Sequence, residues 1–157
     1  MLTLVTFLKK VNDPRQNSGK RHPLWLILLL VILGMMFGHL GYKDIAAFGK
    51  AHQKLIVNFF QLSGDRLPSY STIRRAMMLL DTSNLIEVFN EWVQSLSSLS
   101  ADAQTFASNI RGHWLIENQL HWVKDVIFQE DRWSRQDYKA VSNLSILSTC
   151  ALNLYRF

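Results

Sequence analysis

The chain has 157 residues and a formal net charge of +5, and 48% of its residues are hydrophobic, enough to bury one helical core or two small ones. The charge is uneven: residues 1–80 carry eleven Lys and Arg against three Asp, residues 81–100 carry three acids and no base, and residues 101–157 balance six against six. A polyanionic partner, nucleic acid or an anionic membrane surface, therefore meets the N-terminal half, and the single cysteine, Cys150, excludes an intramolecular disulfide and reads as a buried thiol in a reducing compartment.

Only three prolines and seven glycines interrupt the chain, and apolar residues recur between them at spacings of three and four, which predicts an all-α fold. The N-terminal segment ends in a turn-rich basic run, Asn12-Asp13-Pro14-Arg15-Gln16-Asn17-Ser18-Gly19-Lys20-Arg21-His22, and Pro23 suits the first position of the helix that follows. Further helices are expected over residues 42–60, 71–80, 83–96, 101–128 and 140–155. Between the first two of these, Ser63-Gly64-Asp65-Arg66-Leu67-Pro68-Ser69 reads as a surface turn leading to a Ser or Thr cap for the helix that holds Arg74 and Arg75. The serine-rich stretch Ser95-Leu96-Ser97-Ser98-Leu99-Ser100 coincides with a change in charge character. A domain boundary placed there divides the chain into residues 1–94 and 95–157.

From Pro23 to Tyr42 no residue except His39 can carry a charge, and one continuous helix of that length would span about 30 Å. Gly34 and Gly38 have the small-xxx-small spacing that lets helices approach closely in lipid, and equally lets neighbours cross a central helix in a globular domain. The run begins too late for a secretory signal peptide, and no small-x-small cleavage site follows it. Taken alone, it is either a membrane anchor or a buried core helix.

The densest group of chemistry-bearing residues runs from Ile110 to Asp131. On a helix Glu117, His121 and Lys124 share one side, while Trp114, Asn118 and Trp122 form a neighbouring strip. The plain alternative is an amphipathic helix whose tryptophans pack and whose Glu117–His121 pair is a surface contact worth a few tenths of a kcal/mol.

The string Arg111-Gly112-His113-Trp114-Leu115-Ile116-Glu117-Asn118-Gln119-Leu120-His121-Trp122-Val123-Lys124-Asp125 and its continuation to Asp131 resembles the C-terminal signature of H-repeat-associated insertion-sequence transposases, members of the DDE superfamily. The later Ser142-Asn143-Leu144-Ser145-Ile146-Leu147 and Ala151-Leu152-Asn153-Leu154 are similar to the same family. So are Asp13-Pro14-Arg15, Gly19-Lys20-Arg21-His22-Pro23-Leu24, Tyr42-Lys43-Asp44-Ile45-Ala46 and Pro68-Ser69-Tyr70-Ser71-Thr72-Ile73-Arg74-Arg75 in its associated N-terminal domain. The resemblance covers nearly the whole chain, and its motifs are specific as a set. It implies that residues 1–94 are that N-terminal helical domain, with the apolar helix as its core, and that residues 95–157 are what remains of a ribonuclease-H-like catalytic domain. Glu117 then matches the third acid of the DDE triad, a metal ligand in enzymes that use Mg2+ to activate water or a DNA 3′-hydroxyl for in-line phosphoryl transfer.

The chain departs from the family's pattern where two catalytic aspartates belong: Gln94 runs almost directly into Leu99. Asp81, Asp102, Asp125, Asp131 and Asp137 match neither missing position. One acid of three cannot hold two metals in the required geometry, so the expectation is an internally shortened chain that binds no Mg2+ productively and cuts no DNA alone.

For DNA contact the candidates are Lys20, Arg21, Arg74 and Arg75, with Arg111, His113 and Lys124 flanking the glutamate. Ser71-Thr72-Ile73-Arg74-Arg75 could open a recognition-type helix, its hydroxyls reaching phosphate and its arginines reaching base edges; the competing reading is a solvated basic face. The resulting expectation is a cytoplasmic, mainly helical, transposase-derived protein that recognises element ends and pairs with itself or a full-length transposase, without contact with a membrane. The alternative is a small helical membrane protein anchored by residues 23–42, which an alkaline carbonate wash would retain in the membrane fraction.

Overall fold

The chain is helical through the residues that the computed structural model describes, 2–16, 20–96 and 137–156, and no strand occurs among them. The elements are α1 (Leu2–Leu8), α2 (Leu24–Met36), α3 (Tyr42–Ala51), α4 (Gln53–Phe60), α5 (Tyr70–Leu79), α6 (Thr82–Leu96) and α7 (Tyr138–Arg156). The all-α expectation holds. The helix expected over residues 101–128 lies outside the described residues, as does the ribonuclease-H-like character inferred for the catalytic remnant.

Helix α2 is apolar on every side because every side is covered: α1, α3, α5 and α7 all pack against it, and Ile27, Leu28, Val31 and Ile32 are 0% exposed. It is also shorter than the uncharged run suggested. Gly38 takes φ +80, and the His39 and Gly38 amides donate to the carbonyls of Gly34 and Met35 at 2.9 Å each, a Schellman closure that stops the helix. At 13 residues α2 is about 20 Å long, well under the ~30 Å hydrocarbon core of a bilayer. No helix among the described residues is long and apolar enough to cross a membrane, which removes the support for an anchor over residues 23–42.

Gly34 and Gly49 set the approach of α3 to α2. A Cβ at Gly34 would lie 3.0 Å from Ile45 Cγ1, and one at Gly49 would lie 3.1 Å from Leu30 Cδ1. The expected single helix over residues 42–60 breaks at His52, whose backbone (φ −103, ψ 14) leaves the helical region. Its ring Nδ1 donates to the Phe48 carbonyl at 2.9 Å and its imidazole packs on the Phe48 ring at 4.5 Å, so the side chain competes with the backbone at that turn. Helix α4 ends on Gln61, a non-glycine residue at φ 49.

Helix α1 was not anticipated. Its seven residues are too few to be stable by themselves; Leu4, Val5 and Leu8 are buried, and the element packs on α2 and α6. Lys10 Nζ bonds Glu91 Oε2 at 2.7 Å, and the Asn12 amide donates to Asn84 Oδ1 at 2.8 Å, tying the following turn to α6.

Side-chain caps begin the later helices. Ser69 Oγ accepts from the Thr72 amide at 3.4 Å at the start of α5, the cap expected there. Asp81 Oδ1 accepts from the Ser83 amide at 3.1 Å before α6, and Asp137 Oδ1 from the Ala140 amide at 3.1 Å before α7. Helix α7 lies across α2, α5 and α6 and adds Leu144, Leu147, Cys150 and Ala151 to the same core.

Candidate nucleic-acid interface

The basic run before α2 is organised by one buried cation. Arg15 is 5% exposed; its Nε and Nη2 each donate to the Asp13 carboxylate at 2.8 Å, and Nη2 also donates to the His22 carbonyl at 2.8 Å. The paired guanidinium holds the Asp13 carboxyl below its usual pKa, against the opposing effect of burial. Burial, with Arg21 and Arg15 adding positive potential, lowers the pKa of His22. Asp13-Pro14-Arg15 is thus a clamp joined to His22 at the entry to α2, with Lys20 and Arg21 left exposed.

Two open grooves flank Trp25 at that end of α2. One, of about 640 Å³, is lined by residues that include Arg21, Trp25, Phe60 and Arg66. The other, of about 370 Å³, includes Lys9, Lys20 and Trp25. The Trp25 and Phe60 rings meet edge-on with centroids 5.8 Å apart, and Lys9 Nζ stands 5.4 Å from the Trp25 centroid.

Arg74 and Arg75 are exposed on α5, about one and a half turns after its serine-capped start. Arg74 faces a different neighbourhood. Burial pushes the Tyr42 phenol up to about 12, the nearby Arg74 charge works in the opposite direction, and Asp137 reinforces the rise. Since Tyr42 follows the C-terminal end of α2 and Arg21 precedes its N-terminal end, the candidates form two groups, Lys20 with Arg21 and Arg74 with Arg75. Lys9 and Arg66, which join the first group, were missed because neither stands in a recognisable motif.

Glu117, Arg111, His113 and Lys124 lie outside the described residues. Among the described residues no cluster of three or more His, Cys, Asp or Glu could hold a metal ion. Asp81 and Asp137 serve as helix caps and Asp13 serves the clamp, so these three carboxylates have structural partners. The Cys150 thiol is buried, and burial raises its pKa, which leaves it without thiolate character.

The family model described as DDE_Tnp_1-associated matches residues 5–93, more than half of the chain. The chain belongs to the DDE_Tnp_1-associated family. Among curated proteins it is similar to "Putative transposase YncI" of Escherichia coli O157:H7, 46% identical over 61 residues, which is 39% of this chain and 16% of that protein. It is 37% identical over 59 residues to "H repeat-associated putative transposase YhhI" of Escherichia coli (strain K12), 38% of this chain and 16% of that protein. A third relative, an uncharacterized protein in the dhlA 3′ region of Xanthobacter autotrophicus, is 25% identical over 114 residues, 68% of this chain and 38% of that protein. The chain thus spans about a sixth of the length of the two Escherichia coli relatives. No solved structure matches it. The resemblance to DDE-type transposases read from the sequence is borne out at the level of the family, and this DDE_Tnp_1-associated chain is transposition-related.

Proposed function

We propose that this chain is a DNA-binding component of transposition, acting in the cytoplasm on the ends of an insertion element, and that it cleaves no DNA by itself. The family match over residues 5–93 carries the reading, because it assigns the basic, grooved helical body to a domain associated with DDE transposases. Residues 1–94 are read as that domain and residues 95–157 as the internally shortened catalytic part, whose last helix, α7, covers its apolar stripe on α2, α5 and α6.

Glu117 keeps the role of the third acid of the triad, and Mg2+ the role of the family's metal. With no aspartate of this chain matching either of the other two triad positions, productive metal binding and strand transfer need a second chain. A full-length transposase is the partner that could supply the two aspartates, since a second copy of this chain lacks them as well, and competition for element ends is the regulatory consequence.

The test is a fluorescence-anisotropy titration of the whole chain against a duplex carrying the parent element's terminal repeat and against a scrambled duplex, at several salt concentrations. Selective binding to the repeat supports end recognition. Equal, strongly salt-dependent binding reduces the reading to a basic surface, and no binding ends it. A purified chain whose Mg2+-dependent nuclease activity disappears on Glu117→Gln would overturn the absence of independent cleavage.

A further inference from the structure

We propose that the two grooves beside Trp25 form one track for the phosphate backbone of duplex DNA, with Lys9 and Lys20 gripping it on one side of the Trp25 ridge and Arg21 and Arg66 on the other. The inference rests on the DNA-binding reading above and assigns it to a particular surface, including two residues that no motif singled out.

Four cations border grooves that share Pro23 and Trp25 as a common wall, so a ligand crossing from one to the other passes all four. All four residues are exposed, and no ion pair within the described residues engages any of them. Two acids stand along the track against its four cations. Asp13 lines the smaller groove with its carboxylate held by three hydrogen bonds from Arg15, which leaves Asp65, on the wall of the larger one, as the acid facing the four cations.

Side-chain contacts shape the groove walls. The Trp25 ring meets Phe60 edge-on, and the Arg15 side chain joins the Asp13 carboxylate to the carbonyl of His22, the residue after Arg21. Exposed cations along two adjoining grooves suit a ligand of repeated charge, whose affinity comes from displaced counterions. A membrane fits less well, because a flat lipid surface cannot enter two concave grooves separated by an aromatic ridge.

The experiment compares the whole chain with two double variants that change net charge equally: Lys9→Glu with Arg66→Glu in the grooves, and Lys43→Glu with Lys50→Glu on the exposed side of α3. Each is titrated by anisotropy into a labelled duplex over a range of salt, and separately into vesicles of phosphatidylserine and phosphatidylcholine. Circular dichroism melts check that each variant folds; if the groove reversal does not, Lys9→Gln with Arg66→Gln replaces it.

The expected result is a loss of duplex affinity of roughly tenfold or more for the groove variant, with the slope of log K against log salt shallower by about two, and a clearly smaller loss for the α3 variant. Equal losses in both would overturn the track while leaving DNA binding intact. Absence of duplex binding by the unaltered chain would overturn the track and the DNA-binding reading together. Vesicle binding that is lost in the groove variant, without duplex binding, would assign the grooves to lipid and overturn the proposal.

Discussion

Asn143 Nδ2 donates to the Met77 carbonyl at 2.8 Å, joining two helices 66 residues apart in the chain. The same nitrogen reaches the Leu80 carbonyl at 3.1 Å, so one side chain from α7 occupies two carbonyls at the end of α5 that the helix itself leaves without partners. Asn143 is 0% exposed, and no water can easily substitute. Replacement of Asn143 by Ala should therefore lower stability by about 2–4 kcal/mol, through the lost hydrogen bonds and the space left behind. Asn143→Asp should cost more, since it presents a carboxylate to two carbonyl oxygens. Urea denaturation measures both, and losses below about 1 kcal/mol would show that Asn143 does not hold α5 to α7.

Gly34 and Gly38 stand four residues apart and act for different reasons. A Cβ at Gly34 runs into Ile45, whereas Gly38 has open space around it and a φ of +80. Gly34→Val should destabilise by about 2–3 kcal/mol, and Ile45→Ala in the same chain should cost less than its effect alone, because it makes room. Gly38→Ala should lose about 1 kcal/mol, with no relief from Ile45→Ala. A double-mutant cycle with thermal or urea unfolding separates the two; additive behaviour at Gly34 and Ile45 would argue against the close α2–α3 crossing.

The clamp before α2 predicts sensitivity to acid. His22 and Asp13 both have folded-state pKa values below their ordinary ones, so the unfolded chain takes up protons first as pH falls. The His22 contribution is complete above its ordinary value of 6.5 and is lost as pH falls through and below it. The Asp13 contribution is complete above 3.8 and is lost as pH falls through the lower folded value. The melting temperature should decline in two stages on acidification, and His22→Gln should remove the first. Asp13→Asn should cost about 3 kcal/mol at neutral pH, because the Arg15 side chain, 4% exposed, loses its carboxylate. A melting profile flat from pH 7 to about 5 in the unaltered chain would count against the His22 part.

Arg74 and Arg75 provide a second site to test on DNA. Charge reversal at both should weaken duplex binding by roughly tenfold or more if α5 lies against the phosphate backbone. Anisotropy titration with a helicity check reads the effect. Unchanged affinity would remove α5 from the interface and leave the Trp25 end of α2 to account for binding.

Much of this architecture is legible in the sequence, and the reason is periodicity. Apolar residues at spacings of three and four mark the helices, Ser69 announces the start of α5, and an uncharged run with two small residues marks the helix that its neighbours surround. Composition likewise concentrates the basic residues in the N-terminal half, and the motifs carry the transposase family. These properties are local, so they can be read without knowing what lies nearby in space.

What the tertiary structure decided depends on contacts between distant positions. The turn at Gly38 converts a run long enough to span a bilayer into a 13-residue core helix, and packing against α2 and α6 allows the short α1 to form. Arg15 looks like its basic neighbours in sequence but is withdrawn from the surface by Asp13, whereas Lys9 and Arg66 become part of one surface because the fold brings the ends of α1, α2 and α4 together. Asn143 reads as a polar residue in an apolar helix until the α5 carbonyls stand opposite it. Local pattern determines which segments coil and which faces are apolar; burial, pairing and charge proximity are set by which faces meet, and that information exists only once the chain has folded.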